Sequence, residues 1–231
     1  MNLHQMKPLA TILIWFFIFL PSLVEAAKPA AAPSKNVILL IGDGLSFEII
    51  GLMRDYAAVL GQKTLHLEEA MSAGDVAVVH VSSIDKLVVD SSAAATAIAT
   101  GKKTQNGMVS MTPNGVSAPT LLEMARAASK STGIVTTTSL SHATPAAFAA
   151  HARERTAESE IAQEMLNAGC AVLLGGGMSY WIPEEHLVSE FARVSAVAGA
   201  DAESWRADSE NLLERAAGIG YQVVYNREEL L

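Results

Sequence analysis

Only one cysteine, Cys170, stands among 231 residues, so no disulfide can close within the chain even if it is exported to an oxidising compartment. Cys170 opens an apolar run and reads as buried packing, not as a reactive thiol. Basic residues are also scarce: 16 Lys and Arg face 24 Asp and Glu, a formal net charge of −8. No basic stripe is present to displace counterions, which argues against a nucleic-acid backbone as partner. The acidity is a solubility feature. The histidines are His4, His66, His80, His142, His151 and His186, and no pair has the H-x-x-x-H spacing of a helical metal site. Gly42-Asp43-Gly44-Leu45-Ser46-Phe47 lacks the third glycine of a dinucleotide fingerprint. There is no internal repeat, no coiled-coil pattern and no evident Ser-His-Asp arrangement.

Charge is missing altogether from one segment. Between Lys7 and Glu25 lie 17 uncharged residues, mostly apolar, followed by Ala26. That pattern reads as a secretory signal peptide over residues 1–26, cleaved after Ala26, and it is at the short limit for a membrane span. The expected location is periplasmic or secreted, with no stable membrane span after cleavage. Residues 27–35, rich in Ala, Pro and Lys, read as a flexible lead-in to a domain over 36–231.

Within that domain, apolar runs alternate with amphipathic or Ala-rich stretches. Strands are expected at 36–41, 76–81, 86–89, 134–138 and 171–174, and helices at 46–60, 91–100, 120–130, 145–152, 157–168 and 209–217. The rhythm implies an α/β fold with a mostly parallel central sheet flanked by helices. Residues 108–118, with Pro113-Asn114-Gly115, read as a surface turn, and 178–205 as an insertion near the sheet edge.

The most informative stretch is Asp90-Ser91-Ser92-Ala93-Ala94-Ala95-Thr96-Ala97, followed by Gly101. It places the Ser91 hydroxyl where a strand-like run gives way to a helix, at the positive end of the helix dipole, where an anion or a serine oxygen gaining charge is favoured. Alone, the pair Asp90-Ser91 reads equally as an ordinary N-cap. Asp43, between two glycines at the end of the run 36–41, presents a carboxylate that a metal ion can approach closely, although such a triplet also makes common turns. Downstream, Ser141-His142-Ala143-Thr144-Pro145-Ala146-Ala147 opens a helix with Pro145 in its first turn and Thr144 as the expected N-cap. Helical spacing carries on through His151 to Arg155.

Together these segments resemble the alkaline phosphatase family, through Asn36 to Gly44, Asp90 to Gly107 with Thr100-Gly101-Lys102-Lys103-Thr104-Gln105-Asn106-Gly107, Pro119 to Arg155, and Cys170 to Gly177. The resemblance implies that Ser91 is the nucleophile that takes a phosphoryl group from small phosphate monoesters. It implies that Arg155 clamps two phosphoryl oxygens and that Asp90 holds Arg155. Asp43 would be shared between a zinc and a magnesium site, Ser91 would contact metal, and Thr144 would join the magnesium shell. His142 stands where members have Asp or His, which leaves the identity of the third metal open beside two zinc ions. A homodimer is expected of the full-length form.

Two neighbouring chemistries fit less well. Ser91 lacks the Cys/Ser-x-Pro-x-Arg context of sulfatases, and an arginine holding two non-bridging oxygens suits a monoester better than a phosphodiester. The resemblance runs out about halfway through a typical member, before the remaining zinc ligands, so a truncated and catalytically inactive fragment is the alternative reading. Half a parallel sheet would also leave apolar edges uncovered.

Overall fold

The computed structural model describes residues 36–62, 64–186 and 203–231. The chain divides into two units, residues 1–42 and 43–231. Of the first, only 36–42 are described, as exposed chain without strand pairing. The proposed signal peptide, the lead-in and most of the 178–205 insertion lie outside the described residues. No helix among the described residues is long and apolar enough to cross a membrane.

The second unit runs α1 (Phe47–Val59), α2 (His66–Ala73), α3 (Ser91–Thr100), α4 (Leu121–Ala127), β1 (Gly133–Ser139), α5 (Ala143–Ala149), α6 (Glu158–Asn167), β2 (Val172–Gly176), a 3-10 turn (Met178–Tyr180), α7 (Leu212–Gly218) and α8 (Arg227–Leu230). The β-branched run Ile134 to Thr138 suits a strand. It pairs in parallel with β2, Gly133 opposite Val172 and Val135 opposite Leu174. A parallel pair needs a crossover, and α5 with α6 supplies it. The register shifts between Val135 and Ser139, beside the glycine turn that follows β2. There the glycine turn lies close against β1: a Cβ on Gly175 would lie 2.7 Å from Thr136 Cγ2, and one on Gly177 would lie 2.5 Å from Ser139 Cβ.

Burial explains the rest of the architecture. α3 packs on α5, and the alanines of both helices, Ala93, Ala95 and Ala99 with Ala143, Ala146 and Ala147, are buried. Such small side chains let two helix backbones approach closely. On the other side of α5, Ile161, Met165 and Leu166 of α6 join Ile182 and Leu212 in the core. Each of these large side chains contributes about 1.5–3 kcal/mol by leaving water. Trp181 is buried with them, so Trp181-Ile182 serves as packing.

The sequence expectations need four corrections. Residues 36–41, 76–81 and 86–89 form no strands, and their apolar side chains face solvent, Leu40 at 90% and Val78 at 82% exposure. Strand propensity without a paired neighbour leaves only extended chain. Helix α5 starts at Ala143 with His142 in the N-cap position, so Thr144 lies inside the first turn and is not the cap. The same helix ends at Ala149, where Ala150 turns to extended geometry, so Arg155 is carried on irregular chain beyond it. Residues 108–118 are only partly a surface turn, because Met108, Val109, Ser110 and Ala118 are buried and Val109 bridges to Ala152. Cys170 is buried as expected, and burial pushes its thiol pKa up.

Candidate active site

Asp90 caps α3. Its Oδ1 accepts from the Ala93 amide at 2.9 Å, leaving Ser91 as the first helical residue. Gly101, in left-handed geometry, ends the helix three turns later. The other carboxylate oxygen of Asp90 collects three donors: Ser92 Oγ at 2.6 Å, the Gly107 amide at 3.0 Å and Arg155 Nη1 at 3.3 Å. Burial alone would push the Asp90 carboxyl up, but these donors outweigh it and hold the group below its ordinary value. Asp90 is therefore an anion aimed at Arg155.

Arg155 reaches Ser91 from irregular chain held in place by its own backbone, since the Arg155 amide donates to the Gly107 carbonyl at 2.7 Å. Its Nη1 donates to Ser91 Oγ at 3.0 Å, and Nη2 lies 3.2 Å from His142 Nε2. With Arg155 donating, Nε2 of His142 accepts and its proton sits on Nδ1. That Nδ1 is buried without a hydrogen-bond partner among the described residues. Both Ser91 and Arg155 remain partly exposed, so the group opens to solvent.

Asp43 and Thr144 form a second set, Thr144 Oγ1 donating to Asp43 Oδ2 at 2.9 Å. Asp43 lies in an exposed turn whose Gly44 has a φ of 72°. The two sets meet at the first turn of α5, which supplies His142 to one and Thr144 to the other. All six residues singled out in the sequence thus engage one another pairwise or in a network.

Three participants carried no warning of their role. Ser92 accepts from the Gly107 amide at 3.0 Å while donating to Asp90. Asn106 accepts from the Asp90 amide at 3.2 Å, and its own amide donates to Asp85 at 2.9 Å. Gly107 links Asp90 to Arg155 through its amide and carbonyl. Asn106 and Gly107 belong to the segment that carries the family resemblance, but nothing local shows that they lie across from Asp90.

The donor chemistry discriminates between metals. Asp43 and Thr144 offer two hard oxygens side by side, which fits magnesium, an ion that takes one or two carboxylates and keeps several waters. Zinc needs three or four nitrogen, sulfur or carboxylate ligands. Among the described residues no three His, Cys, Asp or Glu side chains come together to hold an ion. The two zinc ions implied by the resemblance do not fit the described residues alone.

With this geometry in hand, the similarities to known proteins become specific. Residues 34–231 match the family model for alkaline phosphatase. The alkaline phosphatase of Escherichia coli K12 is 34% identical over 220 residues, covering 86% of this chain and 43% of that protein. The crystal structure of Thermus thermophilus alkaline phosphatase superposes with a TM-score of 0.70 at 33% identity, covering 82% of this chain and 36% of that one. A TAB5 alkaline phosphatase, a histidine-to-aspartate variant with Mg bound in its M3 site, is 25% identical with a TM-score of 0.50 and covers 65% of this chain and 40% of its own. The chain thus spans about two fifths of the length of the curated relatives it matches, 38% and 43% for two of them. A match that spans the whole described domain, joined to a shared fold, has one reading: this chain belongs to the alkaline phosphatase family.

Proposed function

We propose that this chain supplies the nucleophile and the phosphate clamp of a phosphate monoesterase. One observation carries the reading: Arg155 Nη1 lies 3.0 Å from Ser91 Oγ at the first residue of α3, beside the Asp90 anion. A serine hydroxyl is a weak nucleophile, and a positive hydrogen bond together with unpaired first-turn amides lowers the cost of charge on its oxygen. Ser91 Oγ would bond to phosphorus as the ester P–O bond breaks, the serine proton passing to solvent and the alcohol leaving with a proton from solvent. Water would then cleave the phosphoserine and release inorganic phosphate. Arg155 would turn its planar fork from Ser91 and His142 onto two phosphoryl oxygens, a bidentate fit that lysine lacks. Asp90 would keep the guanidinium in register through both steps.

Asp43 and Thr144 would hold magnesium, which when bound supplies positive charge near the transferring group. That a TAB5 relative is described with Mg bound in its M3 site supports magnesium as an ion used in the family. Asp43→Asn preserves the shape of the side chain and its contact to Thr144 but removes the charge. It should weaken magnesium binding by about tenfold or more, measured by titration calorimetry. Unchanged affinity would remove Asp43 from the metal shell.

The experiment for the function as a whole measures release of phenol from an aryl phosphate, with and without zinc and magnesium. It compares this chain alone with this chain joined to the C-terminal remainder of the Escherichia coli relative. We expect turnover in the joined form, and Arg155→Ala there should raise KM and lower kcat/KM by about 10²-fold, with Arg155→Lys recovering only part. No turnover in the joined form under any metal condition would overturn the proposal. The chain alone has a second reading, favoured because no three His, Cys, Asp or Glu side chains gather to hold an ion among the described residues: it binds phosphate without turning esters over. The apolar, uncharged residues between Lys7 and Glu25 support export as the setting for this chemistry.

A further inference from the structure

His151 sits on the stretch between the end of α5 and Arg155, and both its ring nitrogens and its backbone amide are engaged. Its Nδ1 lies 2.7 Å from the Ser110 carbonyl, its Nε2 lies 3.0 Å from Glu123 Oε1, and its backbone amide donates to Glu164 Oε2 at 2.6 Å. A carbonyl oxygen only accepts. An ionised carboxylate only accepts too, so a neutral ring, with one N–H, would leave one of these contacts as a clash of lone pairs. Both contacts are met at once only by the imidazolium.

The elements joined by this ring determine where Arg155 lies. Ser110 is fully buried with a φ of 44°, an unusual geometry for a serine. Its amide donates to Thr96 Oγ1 of α3 at 2.9 Å, and its hydroxyl to the Ala147 carbonyl of α5. Its carbonyl takes the Ala118 amide at 2.8 Å as well as the His151 ring. Glu123 stands on α4, locked in a capping box with Thr120. The residues just past His151 pair with the strand-like segment beside Ser110: Ala152 with Val109, and the Arg155 amide with the Gly107 carbonyl. Gly107 in turn donates to Asp90.

We propose that His151 is a positioning residue, an imidazolium clamp that ties α4 to the Ser110 backbone and so holds the 150–155 segment that carries Arg155 to Ser91. The relevance to phosphate rests on the reading of Arg155 given above; the clamp itself does not. The ionisable groups that face the ring are Glu123 from α4 and Glu164 from α6. The described parts of α3 and α5 present none. Burial would lower the pKa of His151, but the Glu123 and Ser110 contacts and the Glu164 charge outweigh it and raise it above the ordinary histidine value. The sign follows: the clamp is complete below the ordinary histidine pKa and is lost as pH rises through the raised one.

The test uses this chain with 15N-labelled histidine and backbone. At about pH 5 to 6 both His151 ring nitrogens should carry protons, and the ring should lose one with a midpoint above that of an ordinary histidine. Over the same interval the Ala152 and Arg155 amides, corrected for intrinsic exchange, should lose about tenfold in protection, while Leu166 in α6 does not. Glu123→Gln keeps the capping box and should shift both midpoints down together. A ring with one unprotonated nitrogen throughout, or Arg155 exchange that ignores the ring, would overturn the clamp. Binding of inorganic sulfate, whose charge does not change over this range, separates the two readings. If it weakens with the same midpoint, clamp and phosphate grip are joined; if it is flat while exchange follows the ring, the clamp stands and the phosphate role of Arg155 falls.

Discussion

Ser91→Ala should remove turnover of phosphate esters by at least about 10³-fold in the form joined to the C-terminal remainder of a relative, and should abolish acid-stable labelling by radioactive phosphate. The substitution is gentle to the fold. Alanine is a better helix former than serine, Ser91 is the first residue of α3, and the cap belongs to Asp90, whose contacts to the Ala93 amide and to Ser92 do not involve the Ser91 side chain. Loss of labelling therefore cannot be blamed on a lost helix. Arg155 keeps its Asp90 contact at 3.3 Å, so phosphate affinity should change far less than turnover. Normal labelling in the variant would place the nucleophile elsewhere and remove the basis of the proposed mechanism.

Gly177→Ala should carry the largest effect on stability, about 2–5 kcal/mol, read as a lower midpoint in urea with little change in slope. Two costs combine. The backbone there has a φ of 89°, which L side chains resist, and the new Cβ would sit 2.5 Å from Ser139 Cβ and 3.0 Å from Ser139 Cα, atoms that cannot swing away. Because Ser139 ends β1, the strain falls where the two strands part company in register. Gly218→Ala is the contrast: that residue ends α7, nothing lies within 4 Å of its new Cβ, and the change should be neutral or stabilise by about 0.5–1 kcal/mol. Equal midpoints for the two variants would show that the close approach of the glycine turn to β1 does not hold in solution.

These two sites differ in how far they could be foreseen. Ser91 was legible because its signal is local: an Asp before it, alanines after it and a glycine at the far end specify a capped helix through hydrogen bonds that span three or four residues. The helices near 46–60, 91–100, 157–168 and 209–217 were legible because their apolar periodicity also spans only a few residues. Gly175 and Gly177 looked like any glycine turn, since the atoms they must avoid, on Thr136 and Ser139, lie about forty residues earlier. The strands were least legible. Residues 134–138 and 171–174 pair, while 36–41, 76–81 and 86–89, no less apolar, do not, because a strand is completed by a neighbour and not by its own composition.

Local chemistry along the chain, then, settled which groups are available: a serine at the start of a helix, an aspartate before it, a carboxylate between glycines, and an arginine a few residues after an Ala-rich run. Proximity was decided by folding alone. Asp90 meets Gly107 and Arg155, and His151 meets Ser110 and Glu123, where α3, α4 and α5 pack together, while the exposed turn carrying Asp43 meets Thr144 across 101 residues. Hydrogen bonds act over about 3 Å and periodicity over a few residues, so no reading of neighbours in sequence can reach across such separations.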